Sequence, residues 1–304
     1  MQFKYLTLAF IVSLASAGMS ANVYAQDSNA SYPPFELDDW YLGLPSDDDG
    51  NGKSDSISET ELANGWTDPR YFYPSDDGGI VFKAPVKGAK TTNTTYTRTE
   101  LREMLRRGNK KHKTSEPGKN NWVFSTAAKR YRKKAGGVDG ELEATLAVNH
   151  VTTTGDKSQV GRVIIGQIHA KDNEPVRLYY RKLPHHTNGS LYFAHEINNP
   201  KSEFYTPLLG DRSNSADDPV DGIPLNEKFG YKIVALGDAL QVDILRQGKV
   251  VARNRIDMSK SGYAHRDEYM YFKAGVYNQN KTGDDDDYVQ ATFYELVNRH
   301  ESPK

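Results

Sequence analysis

The chain has 304 residues, of which 37% are hydrophobic, 26% charged and 11% aromatic, with a formal net charge of -1. It holds no cysteine, which excludes disulfides, thiolate metal sites, a cysteine nucleophile and the lipidated cysteine of a bacterial lipoprotein. The charges are segregated, with nine acids against Lys53 in residues 36–61 and thirteen Lys and Arg against Glu100, Glu103 and Glu116 in residues 98–134; so dense a basic tract predicts a polyanionic partner.

Met1 to Ala25 carries Lys4, an apolar stretch from Tyr5 to Ala17 and the small-residue end Val23-Tyr24-Ala25 before Gln26. That is the layout of a secretory signal peptide, with an apolar core too short to span a membrane. A cut after Ala17 is a second option. Residues 26–304 are then expected to form one exported domain, extracellular or periplasmic, without a membrane anchor. Export favours an acidic polysaccharide over nucleic acid as the polyanion, and no nucleic-acid-binding motif is present.

Asp47-Asp48-Asp49-Gly50-Asn51-Gly52-Lys53-Ser54-Asp55 is similar to the start of a calcium loop, with oxygen donors at alternate positions and glycine sixth. Its twelfth position is Ser58 in place of a bidentate Glu and no entering helix precedes it, so an Asp/Gly-rich surface turn is the favoured reading. Ser58-Glu59-Thr60-Glu61 predicts a capped short helix that ends near Gly65. From Gly79 onward the pattern is extended segments between turns: 79–85, 96–104, 141–151, 162–170, 176–183, 191–197, 231–236, 240–245, 249–256, 269–279 and 288–297. Many short strands without long amphipathic helices predict an all-β sandwich or barrel.

Three of these strands carry polar groups suited to chemistry. In Tyr271 to Gln279, alternation sends Phe272, Ala274 and Val276 to a core and Tyr271, Lys273, Tyr277 and Gln279 to the other face, with Gly275 leaving space between the lysine and Tyr277. In Tyr96 to Glu103, Arg98, Glu100 and Arg102 share a face, where flanking arginines would keep Glu100 ionised. In Gly166 to Ala170, Gln167 and His169 share one face, while Ile164 and Ile168 share the other. No pair of carboxylates spaced for glycosidase chemistry and no Ser/His/Asp arrangement is evident. Guanidinium, amide, imidazole and phenol groups together suit proton abstraction next to a carboxylate. In a uronic-acid polymer the C5 hydrogen lies α to such a group, and a phenol can protonate the departing O4.

Arg98-Thr99-Glu100-Leu101-Arg102, Gln167-Ile168-His169 and Tyr271-Phe272-Lys273-Ala274-Gly275-Val276-Tyr277-Asn278-Gln279 resemble, in order, the three signature motifs of the family 7 polysaccharide lyases, the alginate lyases. The similarity extends from about Phe35 to Val297 and includes Trp40-Tyr41-Leu42-Gly43-Leu44-Pro45 at the domain start. It implies a β-jelly roll whose concave sheet forms a substrate groove, alginate as the partner, and β-elimination without a metal or organic cofactor, leaving a 4,5-unsaturated uronate. By motif position, Arg98 and Gln167, with His169 close by, would neutralise the substrate carboxylate. Tyr277 would be the general acid, His169 would take the C5 proton of guluronate, and Tyr277 would serve both roles on mannuronate. Lys273 and Arg102 would contact neighbouring sugars or steady the site, Glu100 would orient the arginines, Gln279 would help bind substrate, and Asn278 would be structural. The isoleucine at 168 is associated in the family with guluronate-containing blocks, although it faces away from Gln167 and His169. Two other readings stand beside this one: a silent polysaccharide-binding module on the same scaffold, and a lyase for another polyuronate such as glucuronan.

Overall fold

The computed structural model describes residues 33–304 apart from Asn93, Asn199 and Arg266, so the segment read as a signal peptide lies outside the described residues. Among the described residues there are seventeen strands: β1 (Trp40–Gly43), β2 (Ser56–Ile57), β3 (Phe72–Pro74), β4 (Ile80–Pro85), β5 (Arg98–Glu103), β6 (Trp122–Val123), β7 (Gly137–His150), β8 (Arg162–His169), β9 (Val176–Arg181), β10 (Asn188–Ile197), β11 (Ser202–Leu209), β12 (Ile223–Pro224), β13 (Phe229–Leu236), β14 (Ala239–Arg246), β15 (Lys249–Asp257), β16 (Tyr271–Asn278) and β17 (Tyr288–Glu301). Two short helices, α1 (Glu59–Ala63) and α2 (Lys129–Arg132), lie between them. None is long and apolar enough to cross a membrane. The predicted helix is α1, with Ser58 and Glu61 forming the capping box and Gly65 at positive φ just past its end.

One sheet runs β11-β10-β9-β8-β16-β5-β1-β2, with β12 on β10; the other runs β15-β14-β13-β7-β17-β4-β3, with the parallel pair β6·β7 at its side. All eleven predicted extended segments fall on strands of these two sheets. The expected jelly-roll sandwich is therefore borne out. Sequence reading missed the short β1, β2, β3, β6 and β12, which have too few residues to alternate, and edge strand β11, whose Pro207 reads as a breaker but is tolerated at a sheet edge. The facing surfaces enclose Trp40, Trp122, Phe72, Phe82, Phe193, Phe229, Tyr231 and Phe272, each fully buried. At about 25 cal/mol per Å² of apolar area removed from water, side chains of this size contribute roughly 2–3 kcal/mol apiece.

The topology makes β8, β16 and β5 direct neighbours, so the three motif strands lie side by side. Tyr271 pairs with His169, Lys273 pairs with both Gln167 and Arg102, and Tyr277 pairs with Arg98. Phe272, Ala274 and Val276 enter the core as alternation required. Two expectations are corrected at β-bulges, the face of Ile164 and the space at Gly275. The register of β8 shifts between Ile164 and Gly166, so Ile168 and Ile165 face the core while Ile164 joins Tyr179, Tyr192 and Tyr277 on the opposite side. In β16 the register shifts between Ala274 and Tyr277, and Gly275 there has φ +131. A Cβ on Gly275 would stand 2.6 Å from the carbonyl oxygen of Thr99 and 3.0 Å from the Phe82 ring. Glycine is thus required by the bulged backbone pressed against β5 and the core, not by a ligand above the sheet.

The segregated charges partly neutralise one another. Arg106 binds buried Glu59 at 2.6 Å, and Arg107 pairs with Asp38 and, at 3.1 Å, with Asp39. These contacts staple the basic tract to the acidic segment, so that part of the tract is structural. Between the sheets, buried Glu103 on β5 accepts hydrogen bonds from His300 Nε2 (2.7 Å) and Asn298 Nδ2 (2.6 Å) on β17 and from the backbone N–H of Phe272 (3.1 Å). Burial opposes the charge on both partners, but their attraction wins: His300 is held above its ordinary 6.5 and Glu103 below its ordinary 4.5.

A raised histidine stabilises the fold fully below pH 6.5 and loses that contribution as pH rises through its folded value; a depressed carboxylate contributes above pH 4.5 and loses it on acidification. The pair is therefore most stabilising between those limits. His300→Gln is expected to lower unfolding free energy by about 3 kcal/mol at pH 6 and by distinctly less at pH 9, read from urea denaturation at both pH values. Gly275→Ala is expected to destabilise by about 2 kcal/mol or more in the same assay.

Candidate active site

Glu100 is the centre of the polar face. Its carboxylate is buried, with a side chain only 1% exposed, and three groups reach it: Lys273 Nζ from β16, Gln167 Nε2 from β8, and Arg98 Nη1 from its own strand at 3.2 Å. Burial would raise its pKa, but the cations Lys273 and Arg98 and the amide of Gln167 bring it below its ordinary value. Lys273, itself buried, is pushed down to about 8 by that burial and by Arg98, with Glu100 opposing. The ion pair is enclosed, so each partner is costly to remove alone.

This clasp positions the groups that line the cleft beside it. The cleft, about 400 Å³, is bordered by Thr94, Thr95, Tyr96, Arg98, Gln167, His169, Asp172, Glu174, Arg177, Tyr277 and Gln279. The Arg98 guanidinium lies 3.7 Å from the centre of the Tyr277 ring, whose other neighbour is the edge of Tyr96 at 6.2 Å. Burial holds the Tyr277 phenol above its ordinary pKa although the Arg98 charge opposes, so it carries its proton at neutral pH. Arg98 Nε is buried and has no hydrogen-bond partner among the described residues. Gln167 gives one amide hydrogen to Glu100 and retains a second.

His169 donates from Nδ1 to the carbonyl oxygen of Ala170, which fixes Nε2 as the nitrogen with a lone pair. Its ring stacks on Tyr271 at 4.9 Å and 11°, and Arg102 lies 3.8 Å from the centre of that tyrosine on β16. Burial and the nearby Lys273 charge push the imidazole down to about 4, leaving it neutral at working pH.

The predicted residues divide into three groups. Arg98, Gln167, His169, Tyr277 and Gln279 meet in the cleft. Glu100 and Lys273 form a buried pair beneath it: Glu100 holds Arg98 and Gln167, and Lys273 Nζ is committed to Glu100. Arg102 does not reach Glu100: it donates to the carbonyl of Thr114 (2.7 Å) and to Asn121 Oδ1 (3.3 Å) and acts on the cleft through Tyr271. Gln279 donates to the carbonyl of Asn278, and Asn278, fully buried, reaches the carbonyl of Ala84 on the other sheet. His195 is structural, bonded to the Pro175 carbonyl and to Ser261 Oγ, and His186 binds the Ala216 carbonyl.

Sequence reasoning missed a carboxylate cluster at the His169 end. Glu174 Oε1 is 3.2 Å from His169 Nε2, and Arg177 pairs with Glu203 and, at 3.0 Å, with Glu196. Alternation in β9 could have placed Arg177 beside Tyr179 on the open face, but Glu174 lies in a loop without periodicity. Beyond Tyr277, Tyr179 and Tyr192 stack at 4.9 Å and continue an aromatic strip to Tyr205, over which Arg212 lies at 3.9 Å. Asp47, Asp49 and Asp55 bring carboxylate oxygens within 4.8 Å of one another, and Asp47 and Asp55 accept turn hydrogen bonds from Asn51, Gly52 and Ser46.

A two-sheet sandwich with an arginine, an amide, a histidine and a tyrosine on adjacent strands of one face is the arrangement that the resemblance to polysaccharide lyases implied. The sequence profile described as alginate lyase matches residues 35–300. A curated alginate lyase of Klebsiella pneumoniae is 53% identical over 294 residues, covering 91% of this chain and 95% of that protein. The crystal structure of the alginate lyase from Klebsiella pneumoniae superposes with a TM-score of 0.87 at 54% identity, covering 89% of this chain and 98% of that one. The structure of alginate lyase A1-II', a member of polysaccharide lyase family 7, shares the fold with a TM-score of 0.62 at 23% identity over 88% of this chain and 97% of that one. The chain belongs to the alginate lyase family.

Lys273→Met is expected to leave Glu100 buried with insufficient compensation and to cost about 3 kcal/mol of unfolding free energy, whereas the double variant Lys273→Met/Glu100→Gln recovers part of that loss. Urea denaturation of the three proteins checks this; equal stability of wild type and Lys273→Met would sink the charge-held account of the site.

Proposed function

We propose that the protein cleaves the 1,4-glycosidic bonds of alginate by β-elimination. The observation that carries this reading is the meeting, in one cleft, of a neutral imidazole, a protonated phenol and two donors suited to a carboxylate. Arg98 and the free amide hydrogen of Gln167 bind the carboxylate of the uronate whose C4–O4 bond breaks and drain charge from its C5. His169 Nε2 takes the C5 proton of guluronate, the C–H electron pair forms the C4–C5 double bond, and O4 departs with the proton of Tyr277. Atoms and charge balance without an external oxidant or reductant, and the new non-reducing end is a 4,5-unsaturated uronate. On mannuronate, where acid and base act from the same side, Tyr277 serves both roles. Electrostatic neutralisation and acid–base catalysis of this kind each supply several kcal/mol of barrier lowering.

Lys273 and Glu100 are positioning residues in this scheme, because Glu100 holds Arg98 and Gln167, Lys273 holds Glu100, and neither lines the cleft. The association of isoleucine at 168 with guluronate-containing blocks supports a preference for such blocks. Ile168 would act only indirectly, since it is a core residue behind Gln167 and His169. Met1 to Ala25 supports export, with Gln26 as the first residue of the mature protein.

Incubation with alginate is expected to give a rising near-ultraviolet absorbance from the unsaturated product, whereas binding without that rise would favour a silent module, and faster cleavage of glucuronan would favour the other polyuronate. Tyr277→Phe is expected to bind alginate but to lose about 10²-fold or more in kcat; near-full activity would contradict the acid role. Initial rates on polyguluronate should exceed those on polymannuronate. N-terminal sequencing of the exported protein should begin at Gln26.

A further inference from the structure

A row of side chains crosses the open face from the cleft toward the sheet edge. Tyr277 pairs with Ile164, Ile164 with Tyr179, Tyr179 with Tyr192 and Tyr192 with Pro207, so β16, β8, β9, β10 and β11 each supply one residue in register. With strands about 4.8 Å apart, Tyr192 lies roughly 14 Å along that row from Tyr277. There Tyr192, Tyr205, Pro207, Arg212 and Asn214 line a second cavity of about 490 Å³. Arg162 and Arg181 stand directly opposite one another on β8 and β9, two residues along from Ile164 and Tyr179 and so on the same face. Like charges in that position repel, and a buried charge is ordinarily paired with an opposite one. Arg181 is only 4% exposed, yet its donors go to the carbonyls of Arg212 and Lys157 and to Asn214 Oδ1, all uncharged. Arg162 Nη2 donates to the carbonyl of Gln279, a residue of the cleft, at 3.3 Å. Nε of both Arg162 and Arg181 is buried without a hydrogen-bond partner among the described residues. Exposed Arg212 lies 3.9 Å over the Tyr205 ring, and the acid beside it, Asp211, accepts the Ser213 backbone N–H at 2.5 Å.

We propose that this cavity is a second carboxylate site, where Arg212 and the Tyr192 hydroxyl contact a uronate other than the one held by Arg98 and Gln167, and where Arg162 and Arg181 supply the positive field behind them. This rests on the reading of the protein as an alginate lyase. A polyuronate repeats its carboxylate along the chain, so one chain laid over the row presents charge at both ends while the tyrosines between form an aromatic floor for its rings. Burial lowers the Arg181 pKa, and the charges of Arg162 and Arg212 add to that fall against the pull of Tyr192, so the arginines repel one another and an anion between them relieves the repulsion. Burial holds the Tyr192 phenol above its ordinary pKa against the charges of Arg162, Arg181 and Arg212, which leaves it a donor at neutral pH.

The test compares wild type with Arg212→Ala and Arg212→Lys, which keep the residue 212 carbonyl that Arg181 uses. Calorimetric titration with polyguluronate at low salt is expected to show binding about tenfold weaker in Arg212→Ala and an intermediate loss in Arg212→Lys, which keeps the charge without the planar fork. The difference should narrow at high salt, and circular dichroism should show the fold kept in both variants. In turnover, Arg212→Ala is expected to raise KM for polyguluronate by a similar factor with a smaller change in kcat. Equal affinity of wild type and Arg212→Ala for the polymer, or a loss confined to kcat, would overturn the second site. The titration reads the contact without cleavage. A wild type that binds polyguluronate through Arg212 but forms no unsaturated product would therefore refute the lyase reading alone.

Discussion

The buried carboxylate of Glu100 is the contact on which the rest of the site depends. One acid receives a lysine from β16, an amide from β8 and a guanidinium from β5, so it ties together the three strands that carry the cleft. Taking these charges out of water is expensive, and only the closeness and number of the partners offset that cost. The arrangement leaves Arg98 and Gln167 oriented by their inner hydrogen bonds while their remaining donors stay available. Such preorganised donors act on charge that develops during reaction without having to reorient first.

The scaffold serves that clasp through two irregularities. Bulges in β8 and β16 sit side by side, and the one in β8 turns Ile164 to the open face that Tyr277 reaches by alternation. Gly166 fits there because the Tyr231 ring of the opposite sheet presses on it, and Gly275 because Thr99 and Phe82 leave no space for a Cβ. Behind β16, the Glu103–His300 pair fixes the backbone of Phe272 and links the cleft-bearing sheet to β17. Placement of the phenol therefore depends on core packing several residues away from any sugar.

Much of this was legible in the sequence, for stated physical reasons. Strict alternation revealed which side of β16 is buried, and motif order brought Arg98, Gln167, His169 and Tyr277 together before their strand neighbours were known. Alternation failed at Ile164, where a bulge adds a residue that periodicity cannot register. Spacing grouped Arg102 with Glu100, but the structure sends Arg102 to Thr114 and Asn121 because loop carbonyls, invisible to spacing, compete for it. The density of the basic tract predicts a polyanion surface, yet Arg106 and Arg107 turn to acids 47 and 69 residues away. Glu174 escaped notice altogether, since a lone acid in a loop gains meaning only from the imidazole it faces.

In the proposed mechanism Arg98 and Gln167 hold the substrate carboxylate while His169 and Tyr277 address C5 and O4. A crystal structure of Tyr277→Phe with a bound guluronate oligosaccharide would show these contacts. The account expects one uronate carboxylate within about 3 Å of both Arg98 and Gln167, with its C5 hydrogen toward His169 Nε2 and its O4 toward residue 277. An oligosaccharide seated in the cleft with that carboxylate turned to solvent, and neither group in contact with it, would contradict the account.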